Sequence, residues 1–78
     1  MEKKMTPAEF FERGKVGSRI RYGGSDAPIV EMFIFNRGYM WGWGWEDGTN
    51  RKIFLFLRRG LLRDDRRGDF GSIELLPD

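Results

Sequence analysis

Tyr39, Trp41, Trp43 and Trp45 occupy every second position of the stretch GYMWGWGWEDG, residues 38 to 48, with glycine separating the tryptophans. In an extended chain alternate side chains share a face and recur about every 7 Å. The four rings therefore form one ladder, and Met40, Gly42, Gly44 and Glu46 form the opposite face. The chemistry available to such a ladder is non-covalent. It can stack on flat ligands, at roughly 1–3 kcal/mol per nucleic-acid base, or it can be buried against protein. Three placements are open: the core of the domain, an interface with a partner or second subunit, and a stacking platform. A buried aromatic ring covers up to ~250 Å², worth several kcal/mol at ~25 cal/mol/Å². Three tryptophans left in water would invite aggregation, yet a small core has little room for all of them.

A stacking platform for nucleic acid needs cations beside it to meet the phosphates. Arg19 and Arg21 alternate along one segment, and Arg51, Lys52, Arg58 and Arg59 flank another. Arginine suits this role because its planar fork matches phosphate and carboxylate. These six residues are the candidate anion contacts. Arg63, Arg66 and Arg67 are interleaved with Asp64, Asp65 and Asp69, the pattern of a self-neutralising surface. Gly23-Gly-Ser-Asp26 lacks the spacing of a phosphate-binding loop and reads as a plain connection.

Catalysis finds few instruments here. The chain has no His and no Cys, so the commonest general base and the thiol nucleophile are missing, and a zinc site has no usual ligands. Glu31 is the one carboxylate that interrupts an apolar segment, and burial there demands an Arg partner or a raised pKa. Asp64-Asp65 has arginines on both sides, which oppose a divalent cation. The expectation is a non-enzymatic binding protein with no cofactor and no metal.

Composition sets outer bounds. Seventy-eight residues suffice for one domain, 1–78, with a single modest core. With no disulfides available, such a domain relies on good packing or self-association, so a homo-oligomer is as much expected as a monomer. A net charge of +2 does not by itself demand nucleic acid. No leader-like apolar run opens the chain, and Ile53–Leu57 is too short to cross a bilayer. A cytoplasmic protein with no membrane association is the expectation.

The elements that must position these residues follow from periodicity and punctuation. Thr6-Pro-Ala-Glu9 is a capping box with Pro at the first helical position, Met5 and Phe10 sit where a hydrophobic staple belongs, and Gly14 ends the helix, predicting a helix over 6–13. Two turns are unstable alone, so Phe10 or Phe11 must dock. Strands are predicted at 16–22, 29–35, 39–46, 51–57 and 72–76, with turns at Asn36–Gly38 and Asp47-Gly48. Residues 58–71 read as a polar loop holding at most a helical turn at Leu61-Leu62. The region 16–76 is thus a small, mainly β barrel of five antiparallel strands, because closure removes exposed edges.

Lys15-Val-Gly-Ser-Arg-Ile-Arg-Tyr22, Trp45-Glu-Asp-Gly-Thr49 and Phe56-Leu-Arg58 resemble the first strand, the mid-domain hairpin and the late "L-R" of SH3-like and Tudor-type small barrels. The resemblance implies an SH3-like five-stranded barrel and a binding role, toward peptides, modified side chains, RNA or further copies. A Tudor aromatic cage does not transfer, because the aromatic spacing differs. Two functions follow as expectations. One is binding of single-stranded nucleic acid or a nucleotide-like anion by the ladder and its basic rim. The other is a small protein–protein module or inhibitor, of the kind mobile elements encode, whose ladder meets a partner or a second copy.

Overall fold

A computed structural model describes residues 3–24 and 26–77; the extreme ends of the 1–78 assignment, and Ser25 of the glycine-rich connection, lie outside the described residues. The capping box forms as predicted. The Glu9 amide donates to the Thr6 hydroxyl at 3.1 Å and the Thr6 amide donates to the Glu9 carboxylate at 3.2 Å. These bonds start helix α1 (Pro7–Arg13) and hold the Glu9 carboxyl below its ordinary pKa. Phe10 and Phe11 point into the core and dock the helix on the sheet.

Seven strands form one antiparallel sheet: β1 (Lys3–Met5), β2 (Arg19–Tyr22), β3 (Val30–Gly38), β4 (Trp41–Glu46), β5 (Lys52–Arg58), β6 (Leu61–Asp64) and β7 (Ile73–Leu76), in the order β1-β7-β2-β3-β4-β5-β6. The mainly β class with one short helix is therefore correct, whereas the five-stranded closed barrel is not. Two strands join the expected five, and the sheet stays open, with β1 and β6 as its edges. Segment 58–71 is no mere loop: Arg59-Gly60, both at positive φ, turn β5 into β6. Asn36–Gly38 is not a turn but the end of β3. The reversal falls on Tyr39-Met40, with Met40 at φ 71°.

One face of the sheet wraps the core. Ile20 and Tyr22 of β2, Val30, Met32 and Ile34 of β3, Ile53 and Leu55 of β5, Leu62 of β6 and Ile73 of β7 are all buried, with Phe10 and Phe11 closing over them. These inward positions alternate along each strand, as a sheet with one wet face requires. Where β6 and β2 approach across the open side, contacts other than a ladder hold them. The Tyr22 hydroxyl donates to Asp64 Oδ2 at 2.7 Å, Phe70 lies edge-on to the Tyr22 ring with centroids 4.9 Å apart, and Leu62 exchanges backbone bonds with Phe70. No helix among the described residues is long and apolar enough to cross a membrane.

Candidate ligand-binding face

The glycines decide where the tryptophan ladder points. Gly42 and Gly44 are buried on the core side of β4. A Cβ on Gly44 would lie 2.3 Å from Met32 Sδ, and one on Gly42 would meet the Phe11 ring at 3.8 Å. Met32 and the helix occupy the space that side chains would need, so this face of β4 is the inner one. Trp41, Trp43 and Trp45 consequently project outward. Trp41 is 37% exposed and Trp45 42%, while Trp43 between them is half-buried. The placement in the core is thereby excluded. Tyr39 leaves the ladder altogether, because it sits in the β3–β4 turn, 82% exposed.

Neighbouring strands extend the aromatic surface. The register sets Phe33 opposite Trp45, Phe54 opposite Trp43 and Phe56 opposite Trp41. Phe35, at the register shift between Ile34 and Asn36, lays its ring on Trp45 with centroids 5.3 Å apart. Phe54 is the hub: its centroid is 4.9 Å from Trp43, 6.5 Å from Trp41 and 5.9 Å from Phe56. Cross-strand aromatic pairs of this kind contribute roughly 0.2–1 kcal/mol each. The rings thus brace one another, which is why they remain half-covered without a second layer above them.

The six candidate cations divide sharply. Arg19 is paired with Asp47. Arg21 reaches Glu31 at 2.7 Å and Glu74 at 3.2 Å, which gives the interrupting carboxylate of β3 its expected partner. Arg51 lies 3.5 Å from Glu46. These three are committed to carboxylates of their own sheet. Lys52 is different: its ammonium stands 5.8 Å from the centre of the Trp43 ring and 6.0 Å from that of Trp45, on the aromatic face itself. Arg58 continues the outward row Lys52–Phe54–Phe56 at the end of β5, and Arg59 follows in the turn. Neither has an ion pair among the described residues.

Sequence reasoning missed Phe33, Phe35, Phe54, Phe56 and Arg63. Arg63 stands opposite Phe56 and is the outward cation of β6. The signal was present in Lys52-Ile-Phe-Leu-Phe-Leu-Arg58, whose alternation of aromatic and aliphatic residues separates an outer from an inner face. From Phe33 across β4 and β5 to β6, the outward positions carry aromatics, Asn36, Leu61 and the cations Lys52, Arg58 and Arg63, and no carboxylate. The acids on this side of the sheet, Glu31, Asp47 and Glu74, are paired with Arg21 and Arg19 of β2. Such a face can stack on planar groups and attract negative charge. Comparison with family models, with curated proteins and with solved structures found no match to this chain.

Proposed function

We propose that the protein is a non-enzymatic binding module whose outer sheet face takes single-stranded nucleic acid. One observation carries the reading: the aromatic rings and the uncommitted cations occupy the same face, and the acidic side chains on it are engaged by Arg19 and Arg21. Bases stack on the Trp41–Trp43–Trp45 row, and Lys52, Arg58 and Arg59 meet the phosphates along the β5 margin. Duplex nucleic acid hides its base faces, so a stacking surface selects single strands.

The test is tryptophan fluorescence titrated with mixed-sequence single-stranded DNA and RNA at several salt concentrations, with solution mass measured alongside. Expected is saturable quenching whose log affinity falls with log salt at about −0.7 per phosphate contacted, hence a slope near −2 for three cations. Trp43→Ala weakens binding by about 1–3 kcal/mol, and Arg58→Ala removes about 0.7 from the slope. Absence of quenching, together with a dimer mass that Trp43→Ala abolishes, overturns the reading in favour of a protein interface.

A further inference from the structure

On the open side of the sheet, away from the aromatic face, the β2–β3 and β6–β7 connections enclose a cleft of about 630 Å³, bordered by Gly23, Asp26, Arg67, Asp69, Phe70 and Ser72. That volume falls within the range of small-molecule sites, roughly 300–1,000 Å³. The described residues of both walls make backbone contacts of their own. On one side the Gly24 amide donates to the Ala27 carbonyl at 2.9 Å, and Gly23 approaches Pro28 so closely that a Cβ would fall 2.4 Å from its carbonyl oxygen. On the other, Asp64 Oδ1 accepts from the amides of Arg66 at 2.9 Å and Arg67 at 2.7 Å, and the Asp64 amide donates to the Arg67 carbonyl at 2.8 Å.

Arg67 is the unusual residue. Its backbone is held by a buried carboxylate, and its side chain, three-quarters covered, lies along the same carboxylate with Nε 3.7 Å from Asp64 Oδ2. That distance is beyond a hydrogen bond, and Nε is buried without an acceptor. The second carboxylate oxygen is already taken by the Tyr22 hydroxyl. That buried Nε faces Asp64 and not the cleft, so what Arg67 brings to the lining is a positive charge anchored through its backbone. At the rim Asp26 and Asp69 are exposed carboxylates with no partner among the described residues. Phe70 supplies an apolar wall stiffened by Tyr22.

We propose that this cleft binds a small zwitterion bearing a carboxylate and an ammonium group, of the amino-acid or short-peptide kind. The carboxylate meets the Arg67 fork, the ammonium meets Asp26 and Asp69, and the carbon frame lies on Phe70. A multiply charged anion such as phosphate is disfavoured by the two acidic side chains at the rim, and a simple cation is disfavoured by Arg67. The charge pattern selects a ligand carrying both signs.

Amide chemical shifts of the isotope-labelled protein test this directly. The probes are the twenty L-amino acids and a set of dipeptides, each at millimolar concentration, which separates the two sources of the same chemistry. Expected are saturable shifts at Gly68, Phe70, Gly71 and Ser72 for at least one probe. The N-acetylated and the carboxamide forms of that probe bind at least tenfold more weakly. Arg67→Lys, which keeps a cation beside Asp64, and Asp26→Asn, on the exposed rim, each weaken binding without loss of the dispersed spectrum. Absence of saturable shifts with every probe overturns the proposal, as do capped forms that bind as well as the free zwitterion.

Discussion

Replacing Tyr22 with Phe deletes one hydroxyl and leaves the ring in place, and it isolates the contact that spans the open side of the sheet. Asp64 loses the donor on Oδ2, and its side chain has no exposure to water that could replace it. The nearest remaining group on that oxygen is Arg67 Nε, at 3.7 Å. Hydrogen bonds to carboxylates contribute about 1.5–3 kcal/mol, and an orphaned buried acceptor costs a similar amount. In a domain of this length each kcal/mol shifts Tm by about 4–8 °C, so Tyr22→Phe lowers Tm on the order of 10 °C or more at neutral pH. The same substitution changes the alkaline limb. Burial, together with the bond to Asp64, raises the Tyr22 hydroxyl well above its ordinary pKa of 10.0. The folded state thus keeps a proton that the unfolded chain releases. The contribution is complete below pH 10 and is lost as the pH climbs beyond it, at about 1.4 kcal/mol per pH unit. Urea unfolding of both proteins between pH 7 and 11.5 reads the two effects together (~1.4 kcal/mol per unit above pH 10 for the parent, absent in the variant). A loss below about 0.5 kcal/mol at pH 7, against the 1.5–3 expected, would refute the assignment, as would an unchanged alkaline slope.

Further expectations concern the glycine face and the helix. Gly44→Ala forces a methyl group into fully buried Met32 and destabilises by about 1–3 kcal/mol; thermal melts that show no loss would mean that the face assignment of β4 is wrong. Thr6→Ala removes the hydroxyl that accepts from the Glu9 amide, while the backbone amide at position 6 still donates to the Glu9 carboxylate; the loss costs roughly 0.5–2 kcal/mol, measured by chemical denaturation. The effect is smaller at acid pH, because protonating Glu9, whose pKa is held down by Thr6, weakens beforehand the bond its carboxylate accepts from the Thr6 hydroxyl.

Local chemistry was readable where one residue type implies one geometry. Thr6, Pro7 and Glu9 announced the helix, and the alternation of Ile20 and Tyr22 with Arg19 and Arg21 announced β2. The missed strands are those whose partners lie far away in sequence. Lys3–Met5 is too short and too polar to signal extension, and it exists because β7 pairs with it. Leu61–Asp64 ends in an aspartate, ordinarily a turn residue, which is buried here only because Tyr22, forty-two positions earlier, donates to it. The candidate site was legible as a row of tryptophans but not as a face. Which cations were free depended on Asp47, Glu46, Glu31 and Glu74, and sequence spacing gave no indication of those pairings.

The pairing of β7 between β1 and β2 has a consequence for the order of assembly. The hairpins from β3 through β6 join strands close in sequence and can zip up as soon as they emerge from the ribosome. Among the described residues β1 has no ladder partner but β7, about seventy residues downstream, so Lys3–Met5 waits for Ile73–Leu76. Until then β2 keeps one edge bare as well, because β7 is its second neighbour. Closing so long a loop is slow compared with forming a hairpin. The nascent chain therefore passes through a stage in which the five-stranded meander β2 through β6 is complete, its aromatic side is already displayed, and the final strand has yet to be added.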